Sequence, residues 1–423
     1  MRHQTQFSGS GLSSSSEKPN LLFLTPTMPS SGGYGSAMRA AMMLEALVHH
    51  FNVFLLAFQF YRERVITDEH LKFLRGCCAG IEIIPRAFLQ SQSDFSPIYW
   101  FKNVAFDSVH VFKLSMAPLA RLCLKADRHQ RPFCVLDLDD FESKTQRRIA
   151  ALEDLAGNAE AAARQRAAAE KWAAMERCYI PLFDRVYVCS EYDRLEIGNV
   201  YDCLNKVSVV PNAVCSPELT DPPSECPYTF LFTGTMAYLP NADGVRFFCR
   251  EVLPQLRTGA LSPFRIVIAG SKPSPEVRSL ASEHPEVSVT GEVPEMEPYF
   301  SEASAVIVPI RAGGGTRVKI LEAWSYRRPV VSTSLGAEGL DATHGKQLLI
   351  ADTPAEFSQA CLNLMNEPEK ARRIAVNGYE WVRSRYTSSN VREALEEAMA
   401  GHLRPTIRLS RGTSCAYDGS KTF

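Results

Sequence analysis

The twelve cysteines never form a CxxC pair or a zinc-ligand spacing, so neither a redox dithiol nor a structural zinc site is read from them. They are scattered from Cys77 to Cys415 and are expected to be reduced, mostly buried thiols of a cytoplasmic protein. Neither sign of charge prevails. With 46 Lys and Arg against 47 Asp and Glu, no global field draws nucleic acid or acidic polymers, and any anion site must be local. Long apolar runs are also missing: stretches such as Val53 to Phe58 fall far short of the roughly eighteen residues needed to cross a bilayer. Residues 1–18 are rich in Ser, Gly and Gln, lack the apolar core of a signal peptide and read as a disordered leader. Residues 403–423 read as a disordered tail, whose Arg404, Arg408, Arg411 and Lys421 are compatible with peripheral contact at the inner face of a membrane.

What the chain does have is core-forming material. A 45% hydrophobic content over 423 residues is ample for two or three domains. Short β-rich runs alternate with amphipathic stretches, from Leu21-Leu22-Phe23-Leu24 through Val53 to Phe58, Ile81 to Ile84, Val109 to Phe112, Cys134 to Leu138, Val186 to Cys189 and Val207 to Val210. The series then restarts at Phe230 to Phe232 and continues through Phe264 to Ala269, Val287 to Thr290, Ala305 to Val308, Pro329 to Ser332 and Gln347 to Ile350. This predicts an α/β chain of two doubly wound, Rossmann-like domains facing a central cleft. The first is expected over 19–210 and the second over 228–385, with a proline-broken linker over 211–227 and a final helix over 386–402.

Four segments carry candidate chemistry. Gly313-Gly314-Gly315-Thr316 lets backbone amides approach phosphate oxygens, and a helix capped by Thr316 would add its dipole. Arg317 and Lys319 bring full charges to that spot, and Glu322, three residues after Lys319, suits ribose hydroxyls. A second, weaker glycine loop, Gly32-Gly33-Tyr34-Gly35-Ser36, follows the first strand and reads as a phosphate or acceptor loop. Asp137-Leu138-Asp139-Asp140 ends another strand; capping or hydroxyl binding by Asp139 is favoured over a Mg²⁺ or Mn²⁺ site. His110 is the candidate proton-transfer group, expected where its strand opens on the cleft. Ala151 to Tyr179 reads as one long alanine-rich helix with solvated charges at Arg164, Arg166 and Glu170.

Taken in order, Phe230 to Met236, Asn241, Ile266 to Ser271, Val289 to Val293, Gly313 to Ala323, Pro329 to Thr333 and Gly336 to Leu340 resemble the family 4 (group 1) glycosyltransferases. The first domain resembles them more loosely, through Gly32-Gly33, Val186 to Ser190 and Val209-Val210-Pro211-Asn212. The resemblance implies a GT-B fold, acceptor binding in the first domain and a nucleotide sugar in the second. It also implies transfer with retention, with no cofactor or metal. By the same resemblance Gly234 and Thr235 would border the diphosphate, Gly270, Glu292 and Val293 would flank the base, and Glu322 would bind the ribose.

The departures are informative. The family often has a sugar-contacting glutamate where this chain has Gly314, and a basic pair after the first strand of the second domain, where Thr235 to Asp243 has none. Arg317 and Lys319 are the expected replacements, in a Gly-Gly-Gly-Thr-Arg-x-Lys pattern similar to a subgroup linked to surface polysaccharide assembly. A histidine often found two residues beyond His110 is Phe112 here. The expected function is hexosyl-type transfer from a nucleoside diphosphate sugar to a glycan or lipid-linked acceptor, in the cytoplasm or at the inner membrane face. A nucleotide-sugar epimerase or hydrolase, or a non-catalytic nucleotide-sugar-binding protein, are the alternatives.

Overall fold

The structure is a computed structural model and describes residues 18–30, 32, 34–59, 68–85, 100–125, 131–215, 217 and 228–400. The expected leader before Lys18, the tail, most of the linker, and Gly33 lie outside the described residues. Seven parallel strands form the first sheet: β1 (Asn20–Thr25), β2 (Asn52–Gln59), β3 (Gly80–Pro85), β4 (Ser108–Phe112), β5 (Phe133–Asp137), β6 (Arg185–Val188) and β7 (Val207–Val209). Their order is β3-β2-β1-β4-β5-β6-β7. Phe23 at the centre of β1 stands opposite Leu55 on one side and His110 on the other. Period-two alternation divides the strand residues between two cores: Leu22, Leu24, Val109, Val111 and Leu136 on one face, Leu21, Phe23, Phe112 and Val135 on the other. Burial on both faces explains why these strands read as continuous apolar runs.

The second sheet repeats the design with β8 (Tyr228–Thr233), β9 (Phe264–Ala269), β10 (Val287–Gly291), β11 (Ala305–Val308), β12 (Val330–Ser332) and β13 (Leu349–Ile350), ordered β10-β9-β8-β11-β12-β13. All its pairings are parallel. Strand order reverses between β1 and β4 and between β8 and β11. At such switch points the loops leaving neighbouring strands diverge and open a crevice. The segments after β1, β4, β8 and β11 are therefore the ones the topology presents to a ligand.

One local expectation is corrected. Ala151 to Tyr179 is not one helix: Glu142–Leu155 and Ala159–Tyr179 are separate helices, broken at Gly157 and Asn158, and Gly157 has φ +75°. The two helices pack on each other as a hairpin. At the C-terminal end, the Pro368–Arg385 helix adds Ile374 and Val382 to the second core. The chain then crosses to the first domain, where the Ser388–Ala398 helix lays Val391, Leu395 and Ala398 against Ala40, Met43, Leu44 and Leu47. A reciprocal cap between Thr387 and Asn390 starts that helix at the crossing.

Candidate nucleotide site in the interdomain cleft

The floor of the second domain's crevice is a close backbone crossing. The Gly234 amide donates to the Ala269 carbonyl at 3.1 Å, and the Gly270 amide to the Gly291 carbonyl at 3.1 Å. A Cβ on Gly270 would stand 1.9 Å from the Gly234 carbonyl oxygen, and its φ is +149°, so only glycine fits. Thr235 follows, its hydroxyl accepting from Ser271 Oγ at 3.4 Å and its carbonyl accepting from Asn241 Nδ2 at 2.9 Å. Beyond β9 and β10, Glu292 is exposed and Val293 half-buried.

The helix after the glycine loop runs Val318–Ser325, and Arg317 occupies the cap position without a side-chain cap. Thr316 is therefore not the cap expected from the sequence. Its hydroxyl faces the other domain and accepts from Asn212 Nδ2 at 2.7 Å, with Thr316 8% and Asn212 4% exposed. Arg317 turns back on its own loop, donating to the Gly314 carbonyl and, at 3.5 Å, to that of Ala312, while its buried Nε has no hydrogen-bond partner among the described residues.

Lys319 reaches toward β8. Its Nζ lies 2.8 Å from Asn241 Oδ1 and 4.3 Å from the centre of the Phe232 ring, a cation–π contact. Gly234 leaves room for it: a Cβ there would come within 3.0 Å of Nζ. Burial, and then the Arg317 charge, pull the ammonium down to about 7, against the favourable Glu322 charge. Burial likewise pushes the Glu322 carboxyl up to about 7, offset in part by Lys319. Cation and carboxylate thus sit on one helix face at the C-terminal edge of the sheet, each poised to change charge when an ionic ligand arrives.

Across the cleft the first domain brings its own charged groups. Lys113 leaves β4 with φ +69°, and its Nζ is 3.1 Å from Asp139 Oδ2. Asp139 also accepts from Ser36 Oγ at 2.6 Å. Burial opposes its charge, but Lys113 and Arg39 outweigh that and hold the carboxyl below its ordinary value. Asp137, fully buried, accepts from Arg39 Nε at 2.9 Å, and burial raises its carboxyl. Arg39 continues to the Val210 carbonyl and Asn212 Oδ1, both at 3.0 Å. Both carboxylates of the Asp-x-Asp are thus committed to protein cations, and among the described residues no group of His, Cys, Asp or Glu is arranged to hold a metal.

His110 does not lie at the cleft as expected. Its ring is 1% exposed, stacked on Phe23 at 4.7 Å, with Nε2 3.8 Å from Asp137 Oδ2 and without a hydrogen-bond partner. Burial and then the Arg39 charge draw it down to about 3, so it stays neutral near pH 7 and has no route to a substrate. Of the first glycine loop, Gly32 is exposed and Tyr34 precedes the Gly35–Leu47 helix, its carbonyl accepting from Ala37 N at 2.9 Å. Gly35 faces the Val318–Ser325 helix, since a Cβ on it would lie 3.7 Å from Val318.

The contacts that join the halves have no counterpart among the sequence motifs. Arg148 makes a two-pronged bond to Glu338, 2.7 Å on each arm, and donates to the Gly313 carbonyl at 2.9 Å. Lys144 stands 3.4 Å from the same glutamate, and Ile149 and Leu152 pack on Ala312 and Leu239. A charged residue inside an amphipathic helix carries no local signature of such a role. Asn212, by contrast, closed a motif already visible in the sequence, and Asn241 was part of the resemblance.

Comparison with known proteins places this geometry. Residues 227–367, within the second domain, match the family model described as Glycosyl transferases group 1. A sucrose-phosphate synthase from Thermosynechococcus elongatus superimposes with a TM-score of 0.66 at 13% identity, covering 89% of this chain and 98% of that one. Anabaena HepE in complex with UDP and glucose gives 0.62 at 12% identity over 90% and 99%. S. aureus TarM, in a complex with Fondaparinux, alpha-GlcNAc-glycerol and UDP, gives 0.64 at 10% identity over 90% and 100%. The fold is therefore GT-B. A Klebsiella pneumoniae protein described as an uncharacterized 44.6 kDa protein in cps region is 31% identical over 97 residues, spanning 23% of this chain and a quarter (25%) of that relative.

Proposed function

We propose that this chain is a retaining glycosyltransferase of the hexosyl-transferring kind, using a nucleoside diphosphate sugar and a glycan or lipid-linked acceptor in surface polysaccharide assembly. The observation that carries the reading is Lys319 and Glu322 on one helix behind the glycine loop, at the switch point of the group 1-like domain and against the floor formed by Gly234 and Gly270. In this reading the loop amides of Gly313 to Thr316, Lys319 and Arg317 neutralise the charge that builds on the departing diphosphate, which makes metal unnecessary. Glu322 takes the ribose hydroxyls, Gly234 and Thr235 border the phosphates, and Glu292 and Val293 flank the base. Residues 19–210, with Tyr34 and Asp139 near the cleft, form the acceptor side. The HepE complex, with UDP and glucose bound, supports a UDP-linked donor, and the cps-region relative supports a polysaccharide role. No helix among the described residues is long and apolar enough to cross a membrane. Action at the inner membrane face would then rest on peripheral contact.

The test is a thermal-shift screen of UDP, GDP and ADP sugars followed by transfer assays on soluble and lipid-linked glycans. A true donor at a hundredfold excess over its Kd should add about 2.7 kcal/mol of stability. Silence from every nucleotide sugar sinks the proposal, and stabilisation without turnover on any acceptor favours a sensor instead.

A further inference from the structure

The glycine loop has no side chain free to accept a hydrogen bond from a sugar hydroxyl. From Pro309 to Val318 it contains no Asp, Glu, Asn or Gln, and its one hydroxyl, on Thr316, is taken by Asn212. A hexose attached to a diphosphate held there must find hydrogen-bond acceptors on the opposite wall. One carboxylate is already pressed against the loop. A Cβ built on Gly314 would lie 2.0 Å from Asp140 Oδ1 and 2.4 Å from Thr145 Oγ1. The Gly314 backbone is outside the left-handed region. Glycine is required at 314 by the Asp140 carboxylate, not by the turn.

The carboxylate is fixed yet half unused. Thr145 Oγ1 donates to Oδ1 at 2.8 Å, while Oδ2 has no hydrogen-bond partner among the described residues and is not sealed from solvent. Burial raises the Asp140 carboxyl above its ordinary value, against the opposing charges of Lys113 and Arg317 and the bond from Thr145, and burial likewise pushes the neighbouring Glu142 carboxyl up to about 7. Tyr238 closes the same corner: its hydroxyl oxygen would be 3.0 Å from a Cβ on Gly313. A half-buried carboxyl oxygen with no hydrogen-bond partner among the described residues, beside the glycine loop, is suited to receiving sugar hydroxyls, and sites that hydrogen-bond a hydroxyl discriminate strongly against sugars lacking it.

We infer that Asp140 is a sugar-binding residue delivered across the cleft, accepting hydrogen bonds from hydroxyls of the transferred hexose while the second domain holds the nucleotide. The inference rests on the donor assignment above. Because Asp140 belongs to the first domain, the sugar would be gripped only when the domains are together.

The experiment compares wild type with Asp140→Asn, which keeps the shape and an oxygen for Thr145, by calorimetry with UDP and then with UDP-glucose, GDP-mannose and ADP-glucose. Wild type should bind one of the sugars more tightly than its bare nucleoside diphosphate. The variant should retain nucleoside diphosphate affinity and its melting temperature while losing that sugar-dependent gain by about tenfold or more. An undiminished gain in the variant overturns the assignment, as does a wild type for which the sugar adds no affinity. Equal loss for bare UDP and the nucleotide sugar also overturns it, by making Asp140 a support of the phosphate loop. Absence of all nucleotide binding by wild type is the separate outcome that removes the donor site itself.

Discussion

Lys319 and Glu322 pay opposite tolls for their burial. The native lysine holds its proton more weakly than the ordinary 10.5, so between about pH 7 and 10.5 the unfolded chain binds more protons and this group makes stability rise with pH. Glu322 holds its proton more tightly than the ordinary 4.5, so between pH 4.5 and about 7 its contribution falls as pH rises. A diphosphate beside Lys319 restores the ammonium. UDP binding at about pH 8 should therefore take up a proton, and affinity should decline as pH climbs from 7 toward 10. Calorimetry in buffers of different ionisation enthalpy reads the uptake directly; none at pH 8 would mean that Lys319 does not meet the phosphates. Lys319→Met should leave the melting temperature undiminished, since it removes a desolvated cation, yet lower kcat/KM by on the order of a hundredfold or more. Unaltered turnover in that variant would take Lys319 out of the site.

At the scale of elements, the crossing of the β8 and β9 loops is the least forgiving feature. Gly270→Ala forces a methyl to within 1.9 Å of the Gly234 carbonyl and should cost about 1–3 kcal/mol while abolishing nucleotide binding. A Gly270→Ala protein with wild-type melting and nucleotide affinity would show that the two backbones do not touch in solution. The same scale explains what was legible. Strands β9 and β11 coincide with the runs Phe264 to Ala269 and Ala305 to Val308; β11 is buried and apolar throughout because a doubly covered parallel strand has no solvated face, while β9 admits Arg265 only at its exposed start. GT-B was legible only through resemblance: the ordered motifs of the second domain are similar to those of the group 1 glycosyltransferases, and that likeness implies the fold. What misled was local signal overridden by tertiary contact. Thr316 has the chemistry of a cap, but its hydroxyl is drawn off by Asn212. The alanine run of Ala151 to Tyr179 outweighed Gly157 and Asn158, though a hairpin packing two helices together needs that break. His110 has the right residue type for proton transfer, but the strand interior leaves it 1% exposed.

For the whole molecule, the two domains are joined by the Ser388–Ala398 helix returning to the first core and, at the cleft, by the contacts of the Glu142–Leu155 helix. Arg148 is the centre of that second junction. Its guanidinium bonds both Glu338 oxygens and the carbonyl of Gly313, so the group that ties the first domain to the second also fixes the glycine loop. Burial raises the Glu338 carboxyl, but Arg148 more than compensates and holds it below its ordinary value, as a two-pronged pair should. Without Arg148 the glutamate keeps, among the described residues, only Lys144 as a cation partner, at 3.4 Å, and the loop loses a donor. Arg148→Ala should therefore shift the ligand-free protein toward more open arrangements, visible as a larger radius of gyration in small-angle scattering. Because closure completes a transferase site and excludes water, kcat should fall by about tenfold or more, while UDP affinity, carried mainly by the second domain, should change little. Glu338→Gln should act in the same direction but more weakly, since an amide still accepts one arm of the fork. If Arg148→Ala leaves both the scattering profile and turnover unchanged, the junction is a passive surface contact, and closure must be governed by the other contacts between the halves, the Asn212 to Thr316 bond and the returning C-terminal helix among them.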